Sequence, residues 1–502
     1  MVSLVRWSGP FQVSAWVFCA LSLGAFGALH ADSTGTPYPL QRVIGEVVAQ
    51  HPLAKARRFE VQAEQSAYRV SQSALDPILS LETQGNHNLS TISDPTQGGA
   101  LRGLTTKRYS SELTFTKPLQ WGTQLSLGLS ESLIDTDNPF NNCVPGLPSD
   151  KCYETRLSLR LTQPLLRGRS TEANLSVVKV AERALNLSKI MVELEVTRLV
   201  FEASLAYAQL LLSGAQLELE RREEALAERQ LQENRARVSA GVVAESELSA
   251  LRLTLAQRTQ ARFEAERRAT EAEEALFSLS AERPTGPLTL PSWVISGPPT
   301  GGLGSTVDLT GHPELRMLDE RLAQLDAQLA QRRDQALPEL NAGVILSQSG
   351  LGEAFQESLK ALPDNRSRFY GATISLQYPI SDRAEQQLQE LLARQAALRE
   401  ERSATLRRLE GELQRLRRAR PALESILMSA RQALIASRET VRAAEGRLEA
   451  GRATRFEVSQ RQEAARASEL SVLQAQHALF SHHLSALRLK GELLSTFGVK
   501  LP

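Results

Sequence analysis

Apolar and polar residues alternate along several short segments in two parts of the chain. In residues 156–162, leucine at every second position alternates with Ser, Arg and Thr, and residues 123–130 alternate leucine with Ser and Gly. A period of two places one class of residue on each face of an extended strand. The same pattern predicts strands at 78–89, 107–117, 123–133, 153–163, 340–346 and 373–378.

Two far longer stretches have helical patterns. No proline interrupts residues 172 to about 238, and the second stretch, from 382 to about 448, contains only Pro421, which should kink a helix. A helix of about 65 residues would be ~100 Å long. Apolar and small residues spaced by three or four between positions 423 and 441 favour coiled-coil packing.

The order of these elements occurs twice, which indicates two internal structural repeats. His51-Pro52 and His312-Pro313 each open a helix that ends before a proline at the same distance, and strands, a long helix, a Gly turn and another helix follow. The predicted domains are a signal peptide at 1–31, a first repeat at 32–282 with strands at 78–163 and a helical hairpin at 168–282, a Pro/Gly-rich connecting segment at 283–311, and a second repeat at 312–502 with strands at 338–379 and a helical hairpin at 381–497.

The N-terminus has the pattern of a secretory signal, with an uncleaved anchor helix as the alternative. Arg6 precedes an apolar stretch at residues 11–29, and small residues follow. Each alternating segment is about as long as a tilted strand that crosses a membrane, ~9–11 residues. In an outer-membrane barrel the apolar faces meet lipid and the polar faces line the lumen. One chain offers too few strands to close a pore, so we expect several subunits to share one barrel.

Composition and motifs exclude several classes of function. The 58 Lys and Arg residues balance 57 Asp and Glu residues, which gives no reason to expect nucleic acid as a partner. The sequence has no phosphate loop, no His-Glu-x-x-His motif and no nucleophile elbow, so we predict no enzyme and no cofactor. His477, His482 and His483 lack the spacing of a metal site and are interpreted as solvated helix residues.

This organisation resembles the TolC-type outer membrane efflux protein family. The resemblance rests on the His-Pro helices, the strand ends at residues 163–165 and 378–380, and the Ala-Gly turns at Gly241 and Gly451, in that order along the chain. It implies an α+β membrane protein: a homotrimer with one shared transmembrane β-barrel in the outer membrane lipid, continued by a long α-helical coiled-coil barrel in the periplasm. Whether each subunit gives four or six strands stays open.

The resemblance also implies a function. The chain would be a passive exit duct in the cell outer membrane, leading from the periplasm to the exterior, within a tripartite efflux or type I secretion system. The partners would be a periplasmic adaptor protein and an inner-membrane transporter. A periplasmic adaptor and a structural coiled-coil protein of the envelope are the alternatives.

The two Gly turns share a second feature. Glu247 and Glu457 follow Gly241 and Gly451 at the same distance. The resemblance implies that these glutamates are candidates for a gate at the periplasmic entrance and that the turns contact the adaptor. The alternative is that both are ordinary glutamates at helix starts, where a negative charge is favoured.

One departure from the family lies beside the second turn. Ala453 occupies the position where the family has an arginine. Alanine cannot form a salt bridge, so the resemblance does not imply one at this position. Arg452 and Arg455 are the neighbouring side chains that could substitute for it.

Two cysteines lie in a segment rich in Asp, Asn, Pro and Gly. Cys143 and Cys152 flank a potential turn between strands 123–133 and 153–163, in a loop that would be extracellular and therefore oxidising. No nearby His completes a metal ligand set. We predict a Cys143–Cys152 disulfide that stiffens this loop and is not needed for transport.

Overall fold

A computed structural model of the chain describes residues 38–91, 103–136, 151–241, 244–280, 288–289, 307–364, 367–378, 380 and 382–501. The predicted signal peptide, Cys143 and most of the connecting segment lie outside the described residues. Long helices and one large antiparallel sheet make up most of the rest, which confirms the predicted α+β class.

The strands and helices alternate in groups along the chain. The strands are β1 (Tyr38–Pro39), β2 (Ile78–Thr91), β3 (Gly103–Pro118), β4 (Gln124–Thr136), β5 (Lys151–Pro164), β6 (Leu288–Thr289), β7 (Glu339–Gly352) and β8 (Arg368–Gln377). The helices are α1 (Leu40–Gln50), α2 (Pro52–Gln72), α3 (Thr171–Asn174), α4 (Ser176–Ser239), α5 (Glu245–Ser280), α6 (Pro313–Gln335), α7 (Phe355–Ala361), α8 (Arg383–Glu449), α9 (Arg455–Lys490) and α10 (Leu493–Thr496).

Six strands form one sheet in the order β2-β3-β4-β5-β7-β8, and every neighbouring pair is antiparallel. The β3–β4 hairpin pairs with both β2 and β5 and is therefore part of the sheet rather than a projection from it. Within the described part of the chain, β2 and β8 each pair on one side only. The sheet thus ends in two open edges, whose free backbone groups can accept further strands.

The two long helices have the lengths that the sequence predicts. Helix α4 has 64 residues, which is about 96 Å at 1.5 Å per residue. Helix α8 has 67 residues and passes through Pro421 without interruption. Among the described residues, no helix is both long enough and apolar enough to cross a membrane.

The histidines that open α2 and α6 act as helix caps. The side chains of His51 and His312 accept hydrogen bonds from the backbone N–H groups of Leu53 and Glu314, and a proline follows each histidine at the first helical position. A proline there gives up no helical hydrogen bond, because the first N–H groups of a helix have no partner within it. The His-Pro pairs are therefore local start signals for both helices.

Contacts divide the chain into two compact units. One contains the described residues within Met1–Val47, Ala203–Pro299 and Ile426–Phe480, and the other those within Val48–Glu202, Thr300–Ser425 and Ser481–Pro502. In the first unit α4 pairs with α5, through Arg262 and Glu224 at 2.6 Å. In the second unit α4 pairs with α6, through Arg316 and Glu193 at 3.0 Å. The first long helix thus contacts a different shorter helix in each unit.

The start of the described chain contains elements that the sequence analysis missed. Strand β1 pairs in parallel with β6 of the connecting segment, and α1 buries Val43, Ile44 and Val47. The hydroxyl of Tyr207 in α4 donates to the carbonyl oxygen of Tyr38 at 2.8 Å. This hydrogen bond fixes β1 against α4.

Candidate functional site

The six-stranded sheet has one apolar face. Its strand register brings apolar side chains opposite one another in a row that crosses all six strands: Leu79, Phe115, Leu127, Leu159, Leu346 and Tyr370. All six are exposed. Such a surface is costly in water, at roughly 25 cal/mol for each Å² of apolar area left exposed. This face therefore requires an apolar environment.

The opposite face of the sheet is polar. The neighbouring row, one position along each strand, contains Ser80, Thr114, Gly128, Ser158 and Ser347 and ends at Phe369. Charged side chains, including Glu82, Glu112 and Arg156, lie in the next row of this face, and Glu82 pairs directly opposite Glu112. Two like charges opposite each other are unfavourable unless water screens them. The polar face therefore suits an aqueous space.

Both helical hairpins turn at a glycine with a left-handed backbone. Gly241 has φ 74° and Gly451 has φ 68°, and each N–H donates to a carbonyl of the last helical turn, at 2.9 Å to Val238 and 3.0 Å to Leu448. A residue with a Cβ atom pays roughly 1–2 kcal/mol in this conformation. Among the described residues, and apart from the chain neighbours of each glycine, no atom lies within 4 Å of where a Cβ would stand at either position. Backbone conformation rather than crowding therefore selects glycine at both turns.

The two candidate gate glutamates occupy the same position in different surroundings. Glu247 is the third residue of α5 and is exposed, and Glu457 is the third residue of α9. The N–H of Glu457 donates to Thr454 Oγ1 at 3.2 Å, and its carboxylate pairs with Arg447 of α8 at 2.6 Å. Glu457 thus contacts the residue before its own helix and the other helix of its hairpin. These contacts support the alternative interpretation, that Glu457 is an ordinary glutamate at a helix start.

Thr454 and Arg447 are contacts of Glu457 that the sequence analysis missed. Thr454-x-x-Glu457 matches the Ser/Thr-x-x-Glu capping pattern, so a signal for Thr454 was present in the sequence. Arg455, named as a substitute for the arginine of the family, lies 3.5 Å from Glu233 near the end of α4. This pair connects the two hairpins.

A network of charged side chains connects α4, α5 and α9 farther from the turns. Arg466 forms ion pairs with Glu220 and Glu463, and Glu463 also pairs with Arg258. Burial raises the pKa of the nearby Glu223 carboxyl, although Arg258 and Arg466 oppose this. Burial also acts to raise the pKa of Glu463, but hydrogen bonds from Arg466 and Arg258 bring it below its ordinary value.

The solved structures that match this chain share one fold. The Campylobacter jejuni CmeC outer membrane channel matches with a TM-score of 0.64 at 14% identity, over 90% of this chain and 85% of that chain. The outer membrane protein VceC of Vibrio cholerae matches with a TM-score of 0.60 at 16% identity, over 90% and 96%. The open state of the Neisseria gonorrhoeae MtrE outer membrane channel also gives 0.60, at 15% identity, over 90% and 89%.

The chain has the fold of these outer membrane channels. The resemblance found in the sequence is thereby confirmed at the level of the fold. No family model and no curated protein matches the sequence.

Within this channel fold, two of the three histidines interpreted as solvated are buried, so that interpretation was wrong for them. His482 exposes 7% of its surface and His483 exposes 3%. His482 Nε2 donates to the carbonyl oxygen of Leu416 in α8 at 2.8 Å. The sequence analysis missed their burial because it considered only the spacing of the three histidines along the helix. No group of three potential metal ligands occurs among the described residues.

Cys152 lies in β5 opposite Ile134 and is buried. Cys143 lies outside the described residues, and the Cys143–Cys152 disulfide stays a prediction.

Proposed function

We propose that the chain is the outer-membrane channel of a tripartite efflux or type I secretion system, a passive exit duct from the periplasm to the exterior. The observation that carries this proposal is the six-stranded sheet with one exposed apolar face and one polar face, in a fold shared with outer membrane channels. A strand that separates lipid from an aqueous lumen has this division of side chains. The location that follows is the cell outer membrane, with the helices in the periplasm.

The channel would be a homotrimer. The open edges of β2 and β8 support this, because joining them between copies pairs every strand. Three copies of a six-stranded sheet would make an 18-stranded barrel. Barrels of ~16–18 strands are wide enough to leave a water-filled channel.

The helices would form the periplasmic tunnel, built from the two repeats at 32–282 and 312–502. We place the adaptor-contacting tips at Gly241 and Gly451, because both turns are exposed and join long hairpins. Glu247 and Glu457 are retained as gate candidates. Since Arg447 partly neutralises Glu457, Glu247 would contribute more of the negative charge.

The proposed channel performs no catalysis and needs no cofactor. Its function would be to hold open, or to close, a path for a cargo that the inner-membrane transporter supplies through the adaptor.

Assembly and conductance test the proposal. We expect the mature protein to require detergent, to run as a trimer that dissociates on heating, and to conduct ions in planar bilayers. A monodisperse, water-soluble monomer without conductance would contradict it.

A further inference from the structure

Helix α7, in the β7–β8 connection, packs against the face of the sheet that carries the apolar row. It contacts β7 and β5 at the strand ends that are remote from the start of α4. Two glycines of β7 permit this approach: a Cβ at Gly350 would collide with the carbonyl oxygen of Ser358, and one at Gly352 would come within 2.6 Å of Glu357. The helix is therefore packed onto the sheet and is not a free loop.

The covered part of the face is polar. Ser358 is fully buried, and its hydroxyl lies 2.7 Å from Thr155 Oγ1 of β5. Thr155 in turn donates to the carboxylate of Glu131 in β4. Both residues lie on the same side of their strands as the apolar rows, since the register pairs Glu131 with Thr155 and Thr155 with Gly350. Helix α7 therefore covers a polar group on the face that carries the apolar row.

The two flanks of α7 differ in polarity. On the flank that faces the ends of the strands, Glu357 lies against Gly352. On the opposite flank, the carbonyl of Leu362, just after the helix, accepts a hydrogen bond from Gln348, which lies deeper in the sheet. Phe355 and Leu359 share this second flank by their helical spacing. They are 49% and 44% exposed.

We infer that α7 lies at the outer boundary of the membrane, with Phe355 and Leu359 in contact with the acyl chains of the outer leaflet and Glu357 among the headgroups. This inference rests on the proposed outer-membrane channel. Its support is continuity: the apolar flank of α7 extends the apolar face of the sheet toward the strand ends. An interfacial helix buries its apolar side ~5–10 Å below the headgroup boundary.

Another copy of the chain does not suit this position. Helix α7 covers β5 and β7, which are interior strands of the sheet. A neighbouring subunit would join at the edges, β2 and β8, and would leave α7 uncovered.

Quenching by brominated lipids tests the inference. Single tryptophans are introduced by Leu359→Trp on the apolar flank and Glu357→Trp on the polar flank, and Leu157→Trp on the apolar sheet face reports membrane insertion itself. Each full-length trimer is reconstituted in vesicles whose acyl chains carry bromine close to the glycerol backbone, and the emission of the unsubstituted protein is subtracted.

We expect the added emission to be lost at positions 359 and 157 and retained at 357. Quenching at 157 without quenching at 359 would overturn the inference and leave the channel intact. No quenching at either position would overturn both. Equal quenching at 357 and 359 would overturn the assignment of the two flanks.

Discussion

Replacing His483 tests whether a buried imidazole makes the helical part acid-sensitive. His483 is 3% exposed, and among the described residues neither ring nitrogen has a hydrogen-bond partner. Burial, together with the charges of Arg420 and His482, lowers the pKa of His483 to about 4, although the charge of Glu424 opposes this shift. The charged form is therefore disfavoured in the folded protein.

The sign of the effect follows from this lowered pKa. An unfolded histidine takes up its proton near pH ~6.5, whereas folded His483 stays neutral down to about pH 4. The free energy of unfolding is therefore intact above pH ~6.5 and falls as the pH drops toward the folded pKa. The total loss is at most about 3.5 kcal/mol, since the folded pKa of about 4 lies ~2.5 pH units below ~6.5 and each unit corresponds to ~1.4 kcal/mol.

The assay is thermal unfolding of the detergent-solubilised protein, followed by circular dichroism across this pH range. His483→Leu replaces the titratable imidazole with an apolar side chain of similar size and should reduce the loss of melting temperature at low pH. His87→Gln, at an exposed strand position, is the control for the removal of a histidine. The reasoning fails if His483→Leu loses as much melting temperature as the unsubstituted protein does.

Three further predictions concern the turns and the loop. Proline requires a negative φ, whereas Gly241 has a positive φ in its turn. We therefore expect Gly241→Pro to abolish transport while the barrel still inserts; normal transport would place the docking surface elsewhere. Glu247→Gln combined with Glu457→Gln should weaken block of the conductance by divalent cations, and most of the change should come from Glu247; unchanged block would assign both residues to helix starts. Thiol labelling of the denatured, unreduced mature protein should find no free cysteine, because a Cys143–Cys152 bridge worth roughly 2–3 kcal/mol closes the loop; two labelled thiols would refute it.

The sequence predicted the parts of the fold that have a strong period. Alternation identified all six strands of the large sheet, and the structure lengthens each of them at one or both ends. Proline spacing and helical patterns located α4 and α8 to within a few residues. For the strands, the local pattern and the tertiary environment agree, because each strand has one apolar face.

Features that depend on distant partners were not predictable in this way. Strand β1 has two residues and exists only through β6, which is about 250 positions away along the chain. Helix α7 is too short for a helical period to be recognised in the sequence. The requirement for glycine at Gly350 and Gly352 comes from the close contact of this helix with β7, which the sequence does not reveal. The burial of His483 depends on α8 packing against α9.

The reversal potential of a channel with one altered strand residue tests the central claim most directly. Ser158 and Leu159 are neighbours on β5 that belong to the polar and the apolar row. Under a salt gradient in planar bilayers, Ser158→Lys should shift the reversal potential toward anion selectivity, because the added charge would face the lumen of the proposed barrel. Leu159→Lys should instead impair insertion, at a cost of roughly 2–4 kcal/mol near the bilayer midplane. A conducting Ser158→Lys channel with an unchanged reversal potential would contradict the account.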